Sequence, residues 1–172
     1  ARRKLQELAA EDGVAKAEAA LVALKRAREQ LLDPITVLRG VAQDQVVLLQ
    51  ETTFTATATG ALPLGADHPP PPAEIPAWMT ADQLALRQGG LRDRVEEVRA
   101  RLVEASFAAA TPPAEGEDPA QARVRERVRA ALPAVGEASA AMDRARDALA
   151  AASGPGAPKV AIDHERAALA EL

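Results

Sequence analysis

Residues 80–110, TADQLALRQGGLRDRVEEVRARLVEASFAAA, decide the fold. Leu84, Gln88, Leu91, Val95, Val98, Leu102, Ala105 and Ala109 recur in alternating steps of four and three. That is the a/d rhythm of a coiled-coil seam. Its start carries three marks. Thr80 stands where an N-cap would, and Gln83 follows three residues on, as in a capping box. Met79 and Leu84 occupy the two places of a hydrophobic staple. Charged residues from Arg87 to Glu104 fill the flanks. A helix of about 30 residues, rising about 1.5 Å each, is a rod of roughly 45 Å.

A second seam follows at Val124, Val128, Ala131, Val135, Ala138, Met142, Ala145, Leu149 and Ala152. Asp118 is placed to cap it, with Pro119 at the first helical position and Gln121 three residues after the cap. Residues 111–117 between the seams are a short turn bearing Pro and Gly, and so short a connection predicts antiparallel neighbours. Pro133 interrupts the second seam without shifting its frame, which predicts a bend or two abutting helices.

Upstream, residues 2–32 are rich in Ala, Leu, Lys, Arg and Glu, all strong helix formers, with a weak point at Asp12-Gly13. Asp33 then offers a cap and Pro34 a first helical residue, and a second helix is expected from Pro34 to about Thr52. Leu24, Leu31, Leu38, Gln45 and Thr52 keep a spacing of seven across Pro34, with Leu21, Ile35, Ala42 and Leu49 in the matching places. A proline inside a helix costs about 3 kcal/mol, so a kink or break at 33–34 is expected. Between Thr52 and Thr59, threonines alternate with Phe54, Ala56 and Ala58, and this β-branched density predicts fraying before Gly60.

The following segment holds Pro63, four prolines at 69–72, and Pro76. It should be extended, at about 3.1 Å per residue reaching roughly 50 Å. That length would carry the chain back along the bundle, setting the helix at residue 80 parallel to the one before it. The segment reads as a strap rather than a docking motif for a proline-reading partner. Ile75 and Trp78 are expected to pin its end. After a Gly/Pro turn at 153–157, residues 158–172 form a last helix with Ile162, Leu169 and Leu172 facing inward.

The expected organisation is therefore one domain in four parts: N-terminal helices at 1–59, a Pro-rich linker at 60–79, a helical hairpin at 80–152, and a C-terminal turn and helix at 153–172. The fold class is all-α, an elongated antiparallel helical bundle with coiled-coil-like packing and a long Pro-rich crossover. With 172 residues and 2% aromatics, Leu, Val, Ile and Ala must fill the interior. Alanine buries little apolar area, so stability per residue should be modest. The chain opens on Ala1-Arg2-Arg3 in helical rhythm and ends with Leu172 on an apolar position, which predicts a piece of a longer protein.

Charge and composition exclude several classes of function. A net charge of −4 with both signs interspersed argues against a nucleic-acid binder. Arg123, Arg125, Arg127 and Arg129 alternate, so they spread around a helix and have acidic neighbours such as Glu126. Without cysteine there is no disulfide, zinc–thiolate site or thiol nucleophile. No run of 18 apolar residues is present to span a membrane.

No catalytic, cofactor or metal residues are expected. His164 lies between Asp163 and Glu165, but adjacent helical residues point about 100° apart and do not converge on one ion. No Glu-x-x-His pair is present, and His68 sits beside Asp67 in the linker. Ser106, Ser139 and Ser153 lack a nucleophile signature, and Gly154-Pro155-Gly156 lacks the Lys-Ser/Thr of a phosphate loop. Two polar seam positions stand out. Gln45 and Gln88 each occupy an expected core place, where an amide needs partners. They are read as fixing register, the competing reading being a contact point for a partner helix or ligand. Gly89, Gly90 and Gly136 suggest a tight crossing of the two rods.

The pattern Gln88-x-x-Leu91-x-x-Arg94-x-x-Glu97, followed by Pro133-x-x-Gly136-x-Ala138-x-x-x-Met142-x-x-Ala145-x-x-x-Leu149 and by Glu165-Arg166-Ala167-Ala168-Leu169, resembles part of a group of large bacterial membrane-anchored helical proteins of unknown function. In that group the last helix more often has glutamine where Glu165 stands. The resemblance covers residues 80–172. It implies an envelope setting on the periplasmic side and a longer parent chain with membrane helices. It supplies no catalytic residues.

These observations lead to the expectation of a non-enzymatic scaffold or protein-interaction module, the soluble part of a bacterial envelope complex, with protein partners or self-association. The alternatives are an amphipathic lipid- or surface-binding protein, which needs wide apolar faces and aromatic anchors, and an enzyme or small-ligand protein with a polar pocket around Gln45 or Gln88.

Overall fold

A computed structural model describes residues 16, 20–25, 27–29, 32–62, 75–76, 78–108, 119–151 and 157–172. The prolines at 63 and 69–72, His68, Asp118, Ser153 and the seam residues Ala109 and Ala152 lie outside these. The described residues form helices and turns with no strand. The chain divides into two compact units, Ala1–Val37 and Leu38–Leu172. Four helices are named here: α1 (Pro34–Ala58), α2 (Ala81–Ala108), α3 (Pro119–Ala150) and α4 (Ala157–Glu171). Residues 20–25 and 27–29 are helical as well.

At Pro34 the chain breaks and starts a new helix. Asp33 caps α1: its Oδ1 accepts from the Ile35 and Thr36 backbone N–H groups at 3.0 and 3.2 Å, and its carboxylate also accepts from the Thr36 hydroxyl. Proline at the first helical position sacrifices only an N–H that had no partner to lose. The far end of α1 departs from expectation. The helix continues to Ala58 instead of ending near Thr52 and fraying before Gly60. Thr55, Thr57 and Thr59 each donate a hydroxyl proton to the carbonyl four residues back, at 2.7–2.9 Å, and Thr52 Oγ1 lies 3.0 Å from Leu48 O. Those bonds occupy the polar atoms inside the helix rather than in competition with it. Gly60, at φ 74°, then closes the helix, with its N–H on Thr57 O and the Leu62 N–H on Ala56 O. A left-handed residue just past the last turn is the usual place for glycine.

Thr80 starts α2 as its spacing predicts: Thr80 Oγ1 accepts from the Gln83 N–H at 3.2 Å, and Thr80 O from the Leu84 N–H. Along α2, Leu84, Gln88, Leu91, Val95, Val98 and Leu102 are buried. Burial then stops, and Ala105 is exposed. The same holds on α3, where Val135, Ala138, Met142, Ala145 and Leu149 are buried but Val124 is exposed. Pro133 lies inside an unbroken α3, which corrects the alternative of two abutting helices. Trp78 is 54% exposed and does not pin the linker as expected.

On α1 the buried stripe is Val37, Val41, Gln45, Leu48, Thr52 and Ala56. The row Ile35, Ala42, Leu49 that matched the upstream heptads is not buried, and Ile35 is exposed. The row of Ile35, Ala42 and Leu49 is wholly apolar, yet packing has covered the stripe that carries Gln45 and Thr52.

Contacts define which helices meet. Arg92 Nε lies 3.2 Å from Asp143 Oδ2. A Cβ added at Gly89 would meet Arg146, and one at Gly136 would meet Arg99. Glu96 is hydrogen-bonded to Ser139. Partner numbers on α3 therefore fall as those on α2 rise. On α1 the partners of α2 fall likewise: Arg87 pairs with Glu51, Gln88 with Gln45, and Arg94 with Asp44 at 2.6 Å. So α2 does not run parallel to α1, which corrects the expectation drawn from the linker. Reach permitted a return along the full rod but did not require it. α3 packs against α4, and α4 reaches α1 through Glu165 and Thr52.

Apart from Leu48, Leu84, Leu91, Val95, Met142, Ile162 and their like, the core is lined by alanine at 56, 85, 138, 141, 145, 161 and 168. A fully buried Leu, Val or Ile contributes about 1.5–3 kcal/mol and an alanine far less. The few large side chains therefore carry most of the cohesion.

Candidate functional site

Five polar side chains are buried among the described residues: Gln45, Thr52, Gln88, Ser139 and Glu165. Gln45 and Thr52 stand seven residues apart on the inward stripe of α1. Gln88 faces Gln45 from α2. Gln45 Nε2 donates to Gln88 Oε1 at 3.0 Å, and Gln88 Nε2 donates to Gln45 Oε1 at 2.9 Å. Each amide gives one proton and accepts one, so neither carbonyl oxygen is left bare in the core. The two residues expected at polar core places are thus brought together, each at 0% exposure.

Around this pair the helix surfaces are stitched by ions. Arg87 pairs with Glu51 and Arg94 with Asp44 between α2 and α1. Arg92 and Arg146 both reach Asp143. Most of these groups are partly exposed, and such pairs contribute at most about 1 kcal/mol each.

Between α2 and α3, Glu96, Arg99, Pro133, Gly136, Ser139 and Asp143 line an open groove with a cavity volume of about 430 Å³. The Ser139 hydroxyl holds the Glu96 carboxyl below the ordinary carboxylate range; partial burial opposes this, and Arg99 adds to it. Ser139 thus has a carboxylate neighbour, and the described residues that line the groove include no histidine or lysine to act as a base. Ser106 donates to Val103 O at 2.7 Å, a bond within its own helix. His164 is partly exposed on α4. Among the described residues no group of three His, Asp or Glu could hold a metal ion.

The glycines do not mark a tight crossing. A Cβ at Gly89 would sit 3.5 Å from Arg146 Cδ, one at Gly136 3.7 Å from Arg99 Nε, and one at Gly90 would meet nothing within 4 Å. These are ordinary contacts or open space, so the expectation of close backbone approach is corrected.

Sequence reasoning missed Glu165. It is 0% exposed, with Oε1 2.9 Å from Thr52 Oγ1 and Oε2 without a hydrogen-bond partner. Burial pushes its carboxyl up to about 7; Thr52 pulls the other way and the charge on Glu51 adds to the rise. The available signal was its place between Ile162 and Ala168, both buried on the same face of α4. A glutamate in an Ala- and Arg-rich helix reads instead as solvated.

No helix among the described residues is long and apolar enough to cross a membrane. No family model matches the chain, and comparison with curated proteins and with solved structures returns no match.

Proposed function

We propose that this chain is a non-enzymatic helical scaffold or protein-interaction module, the soluble part of a bacterial envelope complex. It is built as an elongated antiparallel bundle with coiled-coil-like packing. The observation that carries the reading is the Gln45–Gln88 pair. Each amide donates one proton to the other's oxygen, at 3.0 and 2.9 Å. A ligand entering at that level would have to break both bonds and leave polar atoms bare. The pair instead does what polar core residues do in helical bundles, which is to fix how two helices align.

The surface offers what the core does not. Phe107 is 73% exposed and Leu86 71% exposed, both on α2. They stand 21 residues apart, roughly 30 Å along the helix, so each is a separate apolar position at which a partner could make contact. The resemblance of residues 80–172 to membrane-anchored helical proteins supports the envelope setting.

In-cell cross-linking with mass spectrometry tests this. The expected result is a reproducible protein partner whose cross-links to α2 fall when Phe107 and Leu86 are changed together to Ser. Binding to bare lipid vesicles by flotation would favour the amphipathic lipid-binding alternative, and turnover of a substrate by the purified chain would overturn the non-enzymatic reading.

A further inference from the structure

Thr52 Oγ1 lies 3.0 Å from Leu48 O and 2.9 Å from Glu165 Oε1. Its hydroxyl has one proton to donate. If that proton goes to Leu48 O, then Thr52 can only accept at Glu165, and Glu165 must bring a proton of its own. If it goes to Glu165, then the bond to Leu48 O is lost and a carboxylate is held in the core by one donor, its Oε2 bare. A charged group buried in that way is costly, whereas a neutral carboxyl completes a two-bond chain from Glu165 through Thr52 to Leu48 O.

We infer that α4 is latched to α1 by a proton on Glu165, and that removal of this proton loosens α4 from the bundle. Among the described residues no cation pairs with Glu165. From α1 the charged group facing Glu165 is Glu51, which is engaged by Arg87 of α2. The buried residues of α2 and α3 include no charged side chain. On α4 itself, Asp163 and Arg166 are exposed and 3.9 Å from one another, and His164 lies at the boundary. The rise of the Glu165 carboxyl to about 7 follows from the same enclosure.

The latch is closed in mild acid and released in mild alkali. Release uncovers the inward faces of Ala161, Ile162 and Ala168 and the surfaces of the helices they cover. The device is independent of what the protein binds, and it places a change of surface near neutral pH.

The test compares the full chain with Glu165→Gln, a neutral side chain of the same shape whose amide can donate to Thr52 Oγ1. Urea unfolding is measured from about pH 4.5 to about pH 8.5. Relative to the variant, the unfolding equilibrium constant of the wild type should rise by up to about tenfold per pH unit, then level off above about pH 7. Parallel curves for the two proteins overturn the latch. A second measurement needs no variant. Carbon-detected NMR of the wild-type Glu165 carboxyl should give a midpoint well above the ordinary glutamate value of about 4.3; a midpoint at that value overturns it. Amide exchange, corrected for its intrinsic pH dependence, should show α4 losing protection above neutrality before α2 does, and simultaneous loss counts against the inference.

Discussion

Gln45 and Gln88 exchange two hydrogen bonds across the α1–α2 contact, each amide nitrogen donating to the other's oxygen. Reciprocity makes the pair fragile to single substitution. Gln88→Leu leaves the Gln45 amide buried and unpaired and should cost about 1–3 kcal/mol. Changing both to Leu should recover much of that loss, because no polar atom is then stranded. A double-mutant cycle by urea unfolding should give a coupling of about 0.5–3 kcal/mol. A coupling of zero would show that the amides do not act as a unit.

Two glycines should respond in opposite directions to the same change. A Cβ at Gly90 meets nothing within 4 Å, so Gly90→Ala should stabilise the protein by about 0.5–1 kcal/mol through helix propensity. Gly60 has φ 74°, and alanine there should cost about 1–2 kcal/mol, since an L side chain strains in the left-handed region. Thermal unfolding of the two variants side by side checks both signs.

Asp33 Oδ1 takes two backbone protons at the start of α1. Asp33→Ala should cost about 1 kcal/mol, and Asp33→Asn or Asp33→Ser much less. The loss should appear as faster amide exchange in the first turn of α1, with little change in α3.

Glu165 and Glu96 should act on stability with opposite pH dependence. The folded pKa of Glu165 is raised to about 7 from 4.5. Its contribution is therefore fully present below about pH 4.5 and is lost as pH rises through 7, with a limiting slope of about 1.4 kcal/mol per pH unit. The folded pKa of Glu96 is lowered, chiefly by the Ser139 hydroxyl, against partial burial and with help from Arg99. Its contribution is present above the unfolded value of 4.5 and is lost as pH falls through the folded one. Ser139→Ala should move the Glu96 titration towards the ordinary range by NMR. An unmoved Glu96 would mean that the arginines Arg99 and Arg92, not the Ser139 hydroxyl, set it.

The helices themselves were legible because their signals are local. Thr80 with Gln83, Asp33 with Pro34, and the four-three steps from Leu84 to Leu102 all act within a few turns. Gln45 and Gln88 could be placed inward from spacing, although nothing in spacing says that two glutamines on different helices will meet. What could not be read depends on neighbours brought from far along the chain. Ile35 and Val41 are equally apolar, and only packing decides which row is covered. Ala105 continues the rhythm of α2 but is exposed in the fold. Nothing local marks Glu165 as buried, because its concealment comes from α1, more than a hundred residues away. The β-branching of the α1 threonines argues for fraying, but their hydroxyls and the carbonyls one turn back keep the helix intact.

The step-for-step pairing between α2 and α3 also favours one register of the two helices over its neighbours. Arg92 meets Asp143, and Glu96 meets Ser139. Moved by one turn in one sense, Arg92 would find Asp147, but Glu96 would be pushed against Asp143, carboxylate to carboxylate. Moved the other way, Arg92 would face Ser139 and Glu96 would lie over Val135, an anion on a hydrocarbon. Misalignment is penalised on either side, by repulsion in one direction and by lost hydration in the other, so an alanine-lined surface with little relief of its own still has a single resting position.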